Sequence, residues 1–211
     1  MAGAWRAKAD RLCRHGSAKP LLALTVAGPL CWLVWAAFSN KLGANPAEAL
    51  IRSTGDWTLR FLCVALAVTP LRQWLGMPVL VRFRRMLGLT VFSYACLHLT
   101  AYVWLDMGAA WADVLADVAK RPFIALGMAC WVLLLALALT SFNAAVRWMG
   151  AARWRALHRA VYAVAVLAVL HFWWMRAGKN NFTEVWVYAT VLMALLSARI
   201  WYFYRKNAAS A

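Results

Sequence analysis

The chain has 211 residues, of which 65% are hydrophobic and 14% charged, with a mean hydropathy of +0.63 and a formal net charge of +16. A soluble domain of this size could not hide so much apolar surface behind a polar exterior, which leaves lipid as the solvent. In that setting the cations are topology signals and headgroup anchors, and nucleic acid is set aside as a partner.

Apolar runs lie near residues 20–38, 55–72, 87–105, 122–142, 156–175 and 183–203. A helix needs about 20 apolar residues to cross a bilayer, so the pattern predicts an all-α, polytopic bundle of six transmembrane helices. Residues 1–211 form one membrane domain with short loops. The first run follows a basic N-terminus, as in a signal peptide. It lacks a small-residue cleavage site and leads into Ser39, Asn40 and Lys41, so it reads as a retained span. Pro46 marks the loop after it. Pro70 and Pro78 close the second run, and Pro122 opens the fourth, where a missing backbone donor costs nothing. Trp173, Trp174, Trp201 and Tyr202 sit at run ends, as interfacial aromatics do.

Charge supplies the direction. With the N-terminus inside, the inner segments hold Arg6, Lys8, Arg11, Arg14, Lys19, Arg72, Arg82, Arg84, Arg85, Arg147, Arg153, Arg155, Arg159, Arg199, Arg205 and Lys206, against the single acid Asp10. The outer segments hold Lys41, Arg52, Arg60, Lys120, Arg121, Arg176 and Lys179. Their acids are Glu48, Asp56, Asp106, Asp113, Asp117 and Glu184. The positive-inside rule then places both termini in the cytoplasm.

Cys13, Cys31, Cys63, Cys96 and Cys130 form no C-x-x-C pair and no C-x-x-C-H signature. Covalent haem attachment and zinc are therefore not expected. The histidines are more informative. His98 falls on the third run, and His158 and His171 on the fifth, while His15 lies in the basic N-terminal tail. Ionisable groups inside a membrane are costly and mark functional sites. His98 lies 13 residues beyond Arg85, and His171 lies 16 beyond Arg155. At about 1.5 Å per residue these are roughly 20 and 24 Å up two helices running inside to outside. Imidazoles at one depth suit bis-histidine ligation of a single haem. His158 lies near the inner surface, about 20 Å below His171. It remains open between ligating an inner haem with another partner, lining a flavin or quinone pocket, and a hydrogen bond between helices.

The chain resembles the ferric-reductase-like transmembrane domain and, within it, the MsrQ (YedZ) family of haem-binding membrane subunits. The resemblance runs through Gly43-Ala44-Asn45-Pro46, Thr54-Gly55, Thr69-Pro70-Leu71 and Arg84-Arg85-Met86-Leu87-Gly88-Leu89. It continues with Leu97-His98-Leu99-Thr100, Tyr102, Arg121-Pro122, Leu139-Thr140-Ser141, Trp154, Leu157-His158, Val161-Tyr162 and Leu170-His171. It implies a subunit of the bacterial inner membrane that passes electrons from the quinone pool, or from a cytosolic flavin reductase, through haem b. The implied acceptor is a periplasmic molybdopterin enzyme that reduces methionine sulfoxide in oxidised proteins, the repair of a reversible lesion. The resemblance also implies FMN, and it carries the ligand role to His98, His158 and His171.

No G-x-G-x-x-G segment occurs, and only Asn207 to Ala211 follow Lys206, so NAD(P)H binding in the Rossmann manner is not expected. The chain reads as a redox subunit that borrows both its donor and its catalyst. Two other functions stay open. One is an autonomous transmembrane reductase of ferric iron or another small acceptor. The other is a cofactor-free transporter or structural bundle, against which scarce intramembrane acids and the lack of a broken-helix repeat argue. Arg60 is a candidate partner for a haem propionate. The loop Arg82-Phe83-Arg84-Arg85 is a candidate for an anionic headgroup or flavin phosphate, or serves topology alone.

Overall fold

A computed structural model describes residues 2–178 and 180–208. Lys179, counted above among the outer cations, lies outside the described residues, as does the side chain of Lys206. Every regular element among the described residues is helical. In chain order they are α1 (Ala2–Arg14), α2 (Ala18–Phe38), α3 (Pro46–Leu75), a 3-10 segment (Pro78–Phe83), α4 (Arg84–Ala101), a π turn (Tyr102–Asp106) and α5 (Trp111–Lys120). Then follow α6 (Pro122–Leu139), α7 (Asn143–Met149), α8 (Ala151–His158), α9 (Val161–Ala177) and α10 (Thr183–Ala208).

Five stretches are long and apolar enough to cross a membrane: Ala18–Phe38, Pro78–Asp106, Pro122–Leu139, Ala151–Ala177 and Thr183–Arg205. The protein is therefore a multi-pass helical membrane protein. The second expected span falls on α3, which is 30 residues long but is not among the five. Its composition explains the difference. Glu48, Arg52, Asp56, Arg60 and Arg72 lower its hydropathy, while Thr54, Leu59, Phe61, Leu62, Leu66, Val68 and Pro70 are buried against neighbouring helices. A helix shielded from lipid by protein need not be apolar all round. The Asn45 side chain caps α3 by accepting from the Glu48 amide at 3.2 Å, with Pro46 at the first helical position. Gly76, at φ +63°, ends the helix in the left-handed conformation that glycine takes without a Cβ clash.

Two prolines interrupt helical ladders, and side chains from other helices repair both. Pro29 lies inside α2, where the Tyr94 hydroxyl of α4 accepts from the Leu30 amide at 3.1 Å and donates to Val26 O at 2.8 Å. Pro70 has no N–H for Leu66 O, the carbonyl four residues before it. Arg199 of α10 donates to that carbonyl at 2.6 Å, and to the Tyr162 hydroxyl at 3.0 Å. Without water, a freed carbonyl in the bilayer must find such a protein donor.

The main core joins Leu59, Phe61, Leu62 and Leu66 of α3 to Val91, Tyr94 and Ala95 of α4. It extends to Leu134 of α6, Val164, Ala165 and Phe172 of α9, and Val185 and Leu192 of α10. The fifth expected run is not one straight helix. It divides into α8 and α9 at Arg159–Ala160, where the Arg159 and Ala160 amides reach back three residues to Ala156 O and Leu157 O. Helix α5 is short and amphipathic. It buries Val114, exposes Trp111 and Leu115, and is tied to the end of α4 by a hydrogen bond from Tyr102 to Asp117.

Candidate functional site

Helices α3, α4, α6 and α9 surround a cavity of about 580 Å³. Its middle is lined by Leu59, Leu62, Val91, Ala95, Met128, Leu134 and Phe172, and the two imidazoles of His98 and His171 face into the same space. Their ring centres are 6.3 Å apart, with planes at 77°. The volume is in the usual range for a small-molecule or cofactor site, and the mostly apolar wall with a few convergent polar groups is its usual chemistry.

Each imidazole is positioned by a matching set of parts. His98 Nδ1 lies 2.8 Å from Ile51 O, and His171 Nδ1 lies 2.6 Å from Phe123 O. A carbonyl only accepts, so both rings carry their proton on Nδ1 and leave Nε2 as a bare lone pair. Four residues after each of those carbonyls stands a glycine. A Cβ on Gly55 would lie 3.1 Å from His98 Cε1, and one on Gly127 only 2.9 Å from His171 Cε1. The glycines clear the helix surface beside the carbonyl so that a ring can reach it. The unit Ile51, Gly55 and His98 on α3 and α4 is thus repeated by Phe123, Gly127 and His171 on α6 and α9.

One end of the cavity is charged, with Glu48, Arg52, Asp56, Asp106 and Arg121 in its wall. Arg52 pairs with Glu48 at 2.9 Å. Arg121 pairs with Asp117 and lies over the Phe123 ring, 5.4 Å from its centre. The hydrogen bond from Arg121 holds the Asp117 carboxyl below the usual carboxylate range.

The structure thus brings His98 and His171 together and leaves His158 elsewhere. His158 ends α8, stacks on Trp154 with ring centres 4.0 Å apart, and has Nε2 3.2 Å from Thr140 Oγ1. Trp154 in turn donates from Nε1 to Thr140 O at 2.8 Å. Arg60 also lies away from the two histidines. It donates to the Tyr188 hydroxyl at 3.0 Å, covers the Trp57 ring and lines a separate cavity of about 380 Å³ with Trp32 and Ser53. Gly127 and the two carbonyl tethers escaped sequence reasoning. The available signal was a glycine on each helix that faces a histidine.

The ferric reductase like transmembrane component family matches residues 54–169, which include His98, Gly55 and Gly127 and end two residues before His171. The chain is 56% identical to a protein of Polaromonas naphthalenivorans over 203 residues, covering 96% of this chain and 93% of the relative. It is 50% identical over 185 residues to a protein of Ralstonia nicotianae, covering 88% and 84% of the two chains. Against a protein of Herminiimonas arsenicoxydans the identity is 45% over 189 residues, covering 90% and 87%. Each of the three is named protein-methionine-sulfoxide reductase heme-binding subunit MsrQ. The chain belongs to the MsrQ family. No solved structure matches it. Within this MsrQ-family chain, the family match covers the cavity wall from Gly55 to Ala168, and nearly all of the chain's length aligns with the first of these relatives.

Proposed function

We propose that the protein is a transmembrane electron-transfer subunit that holds haem b between His98 and His171. The observation that carries this reading is the pair of Nδ1-tethered imidazoles 6.3 Å apart inside one apolar cavity. Metal–imidazole bonds are about 2 Å long and a ring centre lies about 1 Å behind its nitrogen, so one ion bridging two imidazoles separates their centres by about 6 Å. Among the described residues no three His, Cys, Asp or Glu side chains form a metal cluster. An ion between these two rings must therefore bring its remaining ligands with it, as a porphyrin iron does. The heme-binding role named for the relatives agrees.

The residues fit that group. Backbone carbonyls fix both ring tautomers and leave Nε2 basic, the arrangement common to metal-bound histidines. Gly55 and Gly127 admit the rings, and the aliphatic and aromatic lining keeps water away, which tunes the potential of a buried iron. The haem supplies a one-electron carrier inside the bilayer. The polypeptide would hold it through the imidazole nitrogens of His98 and His171, the dry pocket and the charged end near Arg52 and Arg121.

In this reading α3 is a sixth span, and the excess of inner cations sets both termini in the cytoplasm and the charged cavity end outside. Electrons come from the quinone pool or a cytosolic flavin reductase and leave to a periplasmic molybdopterin enzyme that reduces methionine sulfoxide in proteins. His158 has no part in this haem. The test is a pyridine haemochrome measurement on purified wild type, His98→Ala, His171→Ala and His158→Ala. The expected result is a b-type spectrum lost in the first two variants and kept in the third. Full haem in either of the first two would refute the pairing.

A further inference from the structure

The charged end of the cavity has a feature that the ligand pair does not explain. Buried side-chain nitrogens without a hydrogen-bond partner are rare and call for one. Among the described residues the guanidinium Nε atoms of Arg121, Arg176 and Arg199 are in this state. Arg176 and Arg199 lie outside the cavity wall, whereas Arg121 is part of it, as is Trp131, whose buried indole Nε1 also lacks a partner. The Arg121 guanidinium uses Nη2 for Asp117 and rests on Phe123, the residue whose carbonyl holds His171. Arg52 stands beside Ile51, whose carbonyl holds His98. Each ligand tether is therefore flanked, within two residues, by an arginine of the cavity wall.

We infer that Arg121 is the anchor for a carboxylate side group of the cofactor, with Arg52 as the second cation of the same mouth. The inference rests on haem occupying the His98–His171 cavity. Haem b carries two carboxylates that cannot be left in an apolar wall, because an unpaired buried charge is far costlier than a paired one. The other charged groups of the mouth make Arg121 decisive. Glu48, Asp56 and Asp106 are acids, and Arg52 is engaged by Glu48. Arginine has five N–H donors in a planar fork, so the bond to Asp117 leaves donors for a second carboxylate. This assignment replaces Arg60, which is committed to Tyr188 and Trp57 in another cavity. Arg121 is a positioning residue. It orients the macrocycle and places a positive charge near the iron, and that charge raises the reduction potential.

The experiment uses the full-length protein in detergent, reconstituted with haem b or with its dimethyl ester, which has no carboxylate charge. Arg121→Gln is expected to release haem b about tenfold faster and to lower its reduction potential, with both histidine ligands retained in the low-spin spectrum. Arg121→Lys, which keeps the charge, is expected to restore most of the potential. Asp117→Asn tests whether loosening α5 alone gives these effects; it keeps the Arg121 cation and is expected not to lower the potential. With the dimethyl ester, wild type and Arg121→Gln should release the cofactor at the same rate.

Wild-type release and potential in Arg121→Gln would overturn the assignment. So would an equal effect of the substitution on the ester, or an equal shift in Asp117→Asn. A wild-type protein that binds no haem would instead remove the reading on which the assignment rests.

Discussion

Gly127→Ala tests the construction of the site more sharply than removal of a ligand does. The added Cβ would lie 2.9 Å from His171 Cε1, 3.1 Å from Nδ1 and 3.4 Å from Nε2. To recover an ordinary contact, the ring must retreat by about 0.5 Å. It is tethered to the same helix by its 2.6 Å hydrogen bond to Phe123 O, a backbone atom that cannot follow, so a retreat stretches that bond. Losing a buried hydrogen bond costs about 1 kcal/mol, and overpacking about 1–3 kcal/mol. Without haem the ring can swing aside, so most of this strain falls on the ligated state. The gain of about 1 kcal/mol from replacing glycine in a helix is present with and without haem, and so cancels from affinity. The net expectation is haem binding weakened by about 1–3 kcal/mol, roughly 5- to 150-fold. The assay is haem transfer from the purified protein to an excess of apomyoglobin, followed at the Soret band. Gly55→Ala should be milder, because its closest contact is 3.1 Å. Gly28→Ala and Gly88→Ala, with nothing within 4 Å, should match wild type. If Gly127→Ala releases haem no faster than Gly88→Ala, the cradle has no role in holding the ring.

Tyr94→Phe removes the hydroxyl that bridges Val26 O and the Leu30 amide across the Pro29 break. It should cost about 1–3 kcal/mol, seen as a lower melting temperature in detergent, with haem content preserved. An unchanged melting temperature would mean that another donor closes the gap. On the short helix α5, the depressed pKa of Asp117 has a definite sign. Its contribution is fully present above the ordinary carboxylate value of about 4 and is lost as pH falls through the depressed folded value. Hydrogen exchange in α5 should therefore accelerate as pH is lowered below about 4, after correction for the intrinsic rate. Asp117→Asn should exchange fast at every pH, and a wild-type-like profile in that variant would count against the ion pair.

Much of this architecture was legible because a bilayer imposes one length and one polarity on anything that crosses it. Depth counting along two helices put His98 and His171 at one level, and the structure places their rings side by side. Lateral relations were not legible in the same way. Lipid and a helix interior are equally apolar, so hydropathy does not say which face of a helix meets which neighbour. Arg60 looked well placed by depth, yet it faces α10 through Tyr188 rather than the histidines. The break at Arg159–Ala160 involves no proline or glycine, so it left no local mark that would part His158 from the helix of His171. Helix α5 was missed because ten amphipathic residues carry too little apolar length to register as a span. Thr54-Gly55 belongs to the family pattern, but the steric purpose of Gly55 depends on a ring 43 residues away.

The repeated unit of carbonyl, glycine and imidazole also bears on assembly. The pair α3 and α4 holds one complete copy and the pair α6 and α9 the other, so each can set its own ring before the two meet. A haem held as proposed between the two rings would add a link between halves that the main core already joins, so its removal should loosen their contact without separating them.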